Sequence, residues 1–129
     1  MEKDCRARDL MGDADMPTRL VVAMTTCSNF EQAERLGRLL VEKRLVACVS
    51  IGQELRSMYP WNGQIQMDSE VPLTLKTAPE RLANLKQAIE DHHPYEVPEF
   101  LVLAVEDGSK PYVDWAREWV QAEARKDVE

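Results

Sequence analysis

The chain has 129 residues, 44% of them hydrophobic and 30% charged, and 23 acidic against 16 Lys and Arg residues give a net charge of −7. One domain of this length buries a core without staples, and its acidic balance favours cationic ligands and excludes a general nucleic-acid binder, which needs a basic face. No apolar run nears the ~20 residues that cross a bilayer, no signal-peptide pattern opens the chain, and Cys5, Cys27 and Cys48, with no C-x-x-C, read as reduced thiols of a cytoplasmic protein.

Residues 1–18 mix charges of both signs with Gly12 and Pro17 and show no period, which predicts a mobile tail. Leu20-Val21-Val22-Ala23-Met24 is a short apolar run of the kind that forms a buried strand. Ser28-Asn29-Phe30-Glu31 fits a capping box, with Ser28 as cap and Glu31 reaching back. The helix after it places Ala33, Leu36, Leu40 and Val41 on one face and Glu34, Arg35, Arg38, Glu42 and Lys43 on the other. Leu45 to Ile51 is apolar at nearly every position, so it reads as a central strand covered on both faces.

Asn62-Gly63 between Leu55–Trp61 and Gln64–Met67 is a hairpin signal, because both turn residues must take positive φ. Pro60 and Pro72 predict edge positions or bulges, since proline gives no amide to a ladder. The return arm is long, from Gln64 to Lys76, and long edges invite pairing with another chain. Thr77-Ala78-Pro79-Glu80 reads as a second capping box opening a helix with Leu82, Leu85 and Ile89 on its apolar stripe. Pro94 ends that helix at His93. Glu99 to Val105 is the last core strand, and Gly108-Ser109 starts a terminal helix with Tyr112, Trp115, Ala116, Trp119 and Val120 facing inward. Residues 123–129 are charged and expected to fray.

The order β-α-β-β-α-β-α makes two βαβ-like halves joined by a hairpin, which is the ferredoxin-like α+β arrangement with a C-terminal helix. Its sheet is antiparallel, with both main helices on one face, and the other face stays open unless the last helix or other subunits cover it. Three chains meeting through their long hairpins would cover it.

Several spaced motifs run through this frame. They are Ala47-Cys48-Val49-Ser50-Ile51, Ser57-x-Tyr59-x-Trp61-x-Gly63, Lys76-Thr77, His92-His93-Pro94-Tyr95 with Glu96-x-Pro98-Glu99, and Tyr112-x-x-Trp115. On these residues the chain resembles the CutA divalent-cation tolerance proteins, over about Leu20 to Trp119. The resemblance implies a domain over residues 19–122, a tight homotrimer similar in architecture to the PII signalling proteins, and no organic cofactor. Some bacterial members are linked to tolerance of copper and other divalent metals, and animal members to assembly of membrane-anchored acetylcholinesterase.

His92 and His93 are the candidate ligands for Cu or another divalent transition metal, because imidazole suits Cu, Zn and Ni. Adjacent residues on a helix project about 100° apart, so a shared ion needs a second subunit. The structural alternative is that both simply meet the negative end of the helix dipole. In copper-binding members of the resembling family a cysteine at the end of the first strand joins the histidines. Thr25 holds that position here, and Cys27 is expected two residues later in a loop, which weighs against a tight Cu(I) site. Cys27 before a helix N-terminus is either an activated thiolate or a plain loop thiol, and Cys48 in an apolar strand reads as a small core side chain.

Trp61, Lys76, Tyr95, Glu96 and Glu99 are the candidate residues of an intersubunit cleft. Lys76 there either pairs with Glu96 or Glu99 or holds an anion. No nucleophile stands with a base and no glycine-rich phosphate loop is present, so the sequence reads as a binding protein and not an enzyme. Three functions remain open: a trimeric metal-tolerance protein, a PII-like sensor with a small molecule or anion in its clefts, and a scaffold for an unidentified partner protein.

Overall fold

The computed structural model describes residues 19–128, and side chains as far as residue 122. The expected mobile tail at 1–18 lies outside the described residues, as do the side chains from 123 onward. The elements run β1 (Val21–Cys27), α1 (Phe30–Glu42), β2 (Cys48–Ile51), β3 (Leu55–Trp61), β4 (Gln64–Thr77), a 3-10 turn (Pro79–Arg81), α2 (Leu82–His92), β5 (Leu101–Ala104) and α3 (Lys110–Val128).

The sheet order is β2-β4-β1-β5 with every pairing antiparallel, and β3 extends the β4 ladder beyond it. This is the ferredoxin-like α+β fold, reached by the element order read from the sequence. The main core lies between the sheet and the two helices α1 and α2. Ala23 and Cys27 of β1 and Val71, Leu73 and Leu75 of β4 meet Ala33, Leu36 and Leu40 of α1 and Leu85, Ala88 and Ile89 of α2. Alternation in the strands and a 3–4 spacing in the helices put these residues on facing surfaces. The terminal helix α3 packs Val113, Ala116 and Val120 against Leu20, Ala47 and Ala78, across the end of the sheet where β1 begins. Arg117, nearly buried, ties it down by donating to the carbonyl of Arg19 at 2.8 Å and to the carboxylate of Glu80.

Local departures from the sequence reading have physical causes. The cap of α1 is Asn29, whose Oδ1 accepts from the Gln32 amide at 2.8 Å, while Gln32 Oε1 accepts from the Ser28 amide at 3.1 Å. Ser28 and Glu31 are therefore not the capping pair; the box is shifted by one residue. Arg44, at φ 58, closes the other end of α1, where the Leu45 amide reaches back to the Leu40 carbonyl. Its guanidinium lies 3.5 Å over the Trp119 ring, which holds the left-handed residue in place. The expected capping box at Thr77 is also absent. Thr77 Oγ1 donates to the buried carbonyl of Leu45 at 2.7 Å, and Glu80 is committed to Arg117.

β2 is an edge strand, not a central one, and spans only Cys48–Ile51. The burial that its composition implied belongs to Leu45, Val46 and Ala47 just before it. β5 is the opposite edge, and its residues are exposed where a core strand was expected. Tyr112 and Trp115 likewise face outward from α3 and do not line its packed side.

The hairpin forms at Asn62 (φ 53) and Gly63 (φ 76), both in the left-handed region that the turn requires. Pro72 causes no bulge in its own strand, because the β1–β4 register is unbroken from Val21↔Thr77 to Cys27↔Val71. The irregularity sits opposite. Between the pairs Ile51↔Leu73 and Leu55↔Glu70 the β2–β3 side advances four positions and β4 only three. The extra residue falls in the Gly52–Glu54 link, beside the proline that has no amide to offer. A Cβ on Gly52 would stand 2.9 Å from Pro72 Cγ, so only glycine lets the link pass this close.

Candidate functional site

Beyond Val71, β4 pairs only with β3, and the two form a ribbon that projects from the sheet. Met58, Trp61, Ile65 and Met67 stand exposed along it. At the base of this arm, the end of β1 and the loop after α2 bring a polar cluster together.

Its centre is His93, the residue that ends α2. The Tyr95 amide donates to His93 Nδ1 at 3.0 Å, so that nitrogen carries no proton. Nε2 must then donate to the Thr26 carbonyl, 2.8 Å away. The ring is 8% exposed, and the Tyr95 ring meets it edge-on at 4.8 Å. Burial pushes the His93 pKa below the usual histidine value, against opposing pulls from the Thr26 carbonyl and Glu70.

Glu70, at the root of β4, joins the remaining groups. Its Oε2 accepts from Thr26 Oγ1 at 3.1 Å and from Tyr95 Oη at 3.2 Å. Ser28, released from capping, donates to Tyr95 Oη at 3.0 Å. Burial and the Glu70 charge both raise the Tyr95 pKa, and the Ser28 bond opposes them. Further along the arm Tyr59 donates to Asp68, a bond that raises the tyrosine's pKa.

Cys27 is the last residue of β1 and fully buried, so neither loop reading of this thiol holds. Burial first, and then the Glu70 charge, push its pKa up to about 11, the reverse of activation. Thr25 is buried on the helix-facing side of the sheet with its Oγ1 unpartnered, and it takes no part in the His93 bonds. Cys48 is half-buried, with its Sγ 4.0 Å from Ser50 Oγ, and is not a core side chain.

The two adjacent histidines are thus placed differently. His93 has both ring nitrogens occupied inside the fold, and His92 is exposed in the last turn of α2 beside Asp91. Among the described residues no three His, Cys, Asp or Glu side chains gather into a set that could hold a metal ion. One exposed imidazole and a neighbouring carboxylate are too few for a transition-metal centre within a subunit.

The expected cleft residues are spread over the molecule. Trp61 is 58% exposed near the tip of the arm, and Tyr95 belongs to the cluster at its base. Lys76 Nζ lies 5.7 Å over the Tyr112 ring. Glu96 and Glu99 are exposed on the loop before β5. Among the described residues Arg35 pairs with Glu31, Lys110 with Asp114 and Arg117 with Glu80, and Lys76 meets neither Glu96 nor Glu99. Glu70, Thr26 and Ser28 are the residues that sequence reasoning missed. The available signal was register: Val71 faces Cys27, which puts Glu70 beside the strand end that leads into Ser28.

A family model described as CutA1 divalent ion tolerance protein matches residues 21–119. The human protein called Protein CutA is 39% identical over 107 residues, covering 83% of this chain and 60% of its own length. The chain therefore spans less than two thirds of that mammalian relative. A divalent-cation tolerance protein CutA from Thermus thermophilus is 39% identical over 97 residues, covering 75% of this chain and 94% of the relative. Among solved structures, CutA from Synechococcus elongatus is 38% identical with a TM-score of 0.77, covering 80% of this chain and 91% of that one. A Nostoc structure described as a PII-like protein CutA is 36% identical with a TM-score of 0.73, covering 78% and 96%. On this match, which takes in both β1 and the histidine corner, the chain belongs to the CutA1 divalent ion tolerance protein family.

Proposed function

We propose that the protein acts as a homotrimer in tolerance of divalent metal cations, and that it binds copper or another divalent transition metal at a subunit boundary through His92. The observation that carries this reading is the contrast between the two histidines. His93 spends both nitrogens on the fold, and His92 offers a solvent-facing imidazole beside Asp91. With no complete donor set among the described residues of one subunit, the remaining ligands come from neighbouring chains. The trimer is supported by the apolar surface left open on the arm and on β5, where Leu101, Val102 and Leu103 are all exposed. We read it as a binding protein and not an enzyme, and its free thiols Cys27 and Cys48 suit the reducing cytoplasm.

The test is calorimetric titration with Cu(II) and Zn(II), after sedimentation has established the trimer. His92→Ala should lose most of the affinity, and an unchanged affinity rejects His92 as the ligand. A second reading, a PII-like sensor, is favoured by one observation. The Glu70–Tyr95–Ser28 cluster sits at the base of the arm, where a neighbouring chain would form a cleft with Trp61. A metabolite that raises Tm in the parent but not in Tyr95→Phe would select this reading.

A further inference from the structure

On the outer side of the helix layer, the turn after α1 and one face of α2 enclose an open cleft of about 540 Å³. This volume is in the range of small-molecule sites. The cleft is separate from the arm and from the sheet edges. Lys43 and Arg81 line it, with Asn84, Gln87, Asp91 and His92 along the helix side.

Arg81 is the unusual group. It is only 8% exposed, yet it belongs to none of the ion pairs of the described residues, and its Nε is buried with no hydrogen-bond partner. Desolvating that Nε without a partner is costly, and the terminal nitrogens of the guanidinium are left for solvent or a ligand. The other buried arginine, Arg117, also has an unpartnered Nε, but its terminal nitrogens meet the Glu80 carboxylate and the Arg19 carbonyl. Arg81 instead borders a cleft whose second cation, Lys43, is exposed. The carboxylate on the wall, Asp91, accepts from Gln87 at 3.0 Å.

We propose that this cleft binds a small phosphorylated metabolite, with its phosphate group on Arg81 and Lys43. The guanidinium is a planar fork of donors that matches two phosphate oxygens, and Lys43 adds the second positive charge that a dianion calls for. Asn84 supplies neutral hydrogen bonding to the rest of the molecule, and Asp91 can accept from its hydroxyl groups. The cleft shares Asp91 and His92 with the metal reading, but its phosphate contacts rest on Arg81 and Lys43, which take no part in that reading.

The experiment uses the full chain in metal-stripped buffer at constant ionic strength. Inorganic phosphate, glycerol 3-phosphate and malonate are added separately, with Tm and ³¹P line width as readouts. Phosphate should bind in the millimolar range and glycerol 3-phosphate more tightly. Arg81→Met should weaken both by about tenfold or more, the usual effect of losing a charge-assisted contact. Lys43→Ala, a surface change that leaves the core intact, should weaken both several-fold. Arg81→Met should also melt no lower than the parent without phosphate, because it removes an unpaired charge whose Nε is desolvated. Arg81→Met and Lys43→Ala, which weaken phosphate binding, should leave the Cu(II) titration unchanged, because neither residue belongs to the metal reading. No phosphate effect in the parent, an effect unchanged in both Arg81→Met and Lys43→Ala, or tighter binding of malonate than of phosphate would each overturn the assignment.

Discussion

His93 and Thr26 are joined by a 2.8 Å hydrogen bond across 67 positions of sequence, from the imidazole Nε2 to the last carbonyl but one of β1. With the Tyr95 amide on Nδ1, that bond fixes the ring as a neutral tautomer and pins the corner after α2 to the end of the first strand. The histidine-proline motif therefore divides into a structural residue and an available one. His93→Ala should lose about 2–4 kcal/mol of stability, from two buried hydrogen bonds and a cavity, as read by urea denaturation.

The same ring sets a pH response. Burial lowers the His93 pKa in the fold below the 6.5 of the free side chain. The unfolded chain therefore binds the extra proton first as pH falls. Its contribution to stability is complete above pH 6.5, declines below that value, and is gone once the pH is below the folded pKa. Tm measured from pH 7.5 down to 4.5 should fall less steeply in His93→Gln than in the parent. Parallel slopes would show that other groups set the acid limit.

Cys27 should be inert. Its thiol ionises only near pH 11 in the fold, against 9.0 when unperturbed, because the site is buried and Glu70 is close. Alkylation at pH 8 followed by mass spectrometry should label the half-buried Cys48 well before Cys27. Glu70→Gln removes one of the two causes and should lower the Cys27 pKa without exposing it. Folding holds this thiol neutral, so its stabilising contribution is present below pH 9 and is lost as pH rises toward 11.

Gly52→Ala tests the link between the two ladders. The new methyl would stand 2.9 Å from the rigid Pro72 ring, so the link or the proline must shift. A loss of about 1–3 kcal/mol is expected for such overpacking, and Pro72→Ala in the same chain should recover part of it. Equilibrium denaturation of the two single variants and the double variant gives the coupling.

The parts of this fold that were legible in the sequence are those specified locally. Asn62-Gly63 announced its hairpin because few residue pairs accept positive φ twice, and α1 and α2 announced their packed faces by spacing. The misreadings arose where one signal has two causes. Apolar composition made β2 look central and β5 look like a core strand, yet Leu101 to Leu103 are exposed in the subunit, and apolar residues kept for a neighbouring chain read like those kept for a core. Ser28 and Thr77 looked like caps, but hydroxyls also serve distant partners, here Tyr95 and the Leu45 carbonyl. Tyr95 and the histidines were visible by their chemistry. Glu70 was not, because only the strand register brings one acidic residue among 23 beside Thr26 and Tyr95.

The assignment of His92 as the metal ligand is tested most directly by electron paramagnetic resonance of the Cu(II)-loaded trimer. The parent should show nitrogen superhyperfine structure from imidazole, and His92→Ala should lose it, while His93→Gln keeps it wherever the variant stays folded. An unchanged nitrogen pattern in His92→Ala would contradict the assignment.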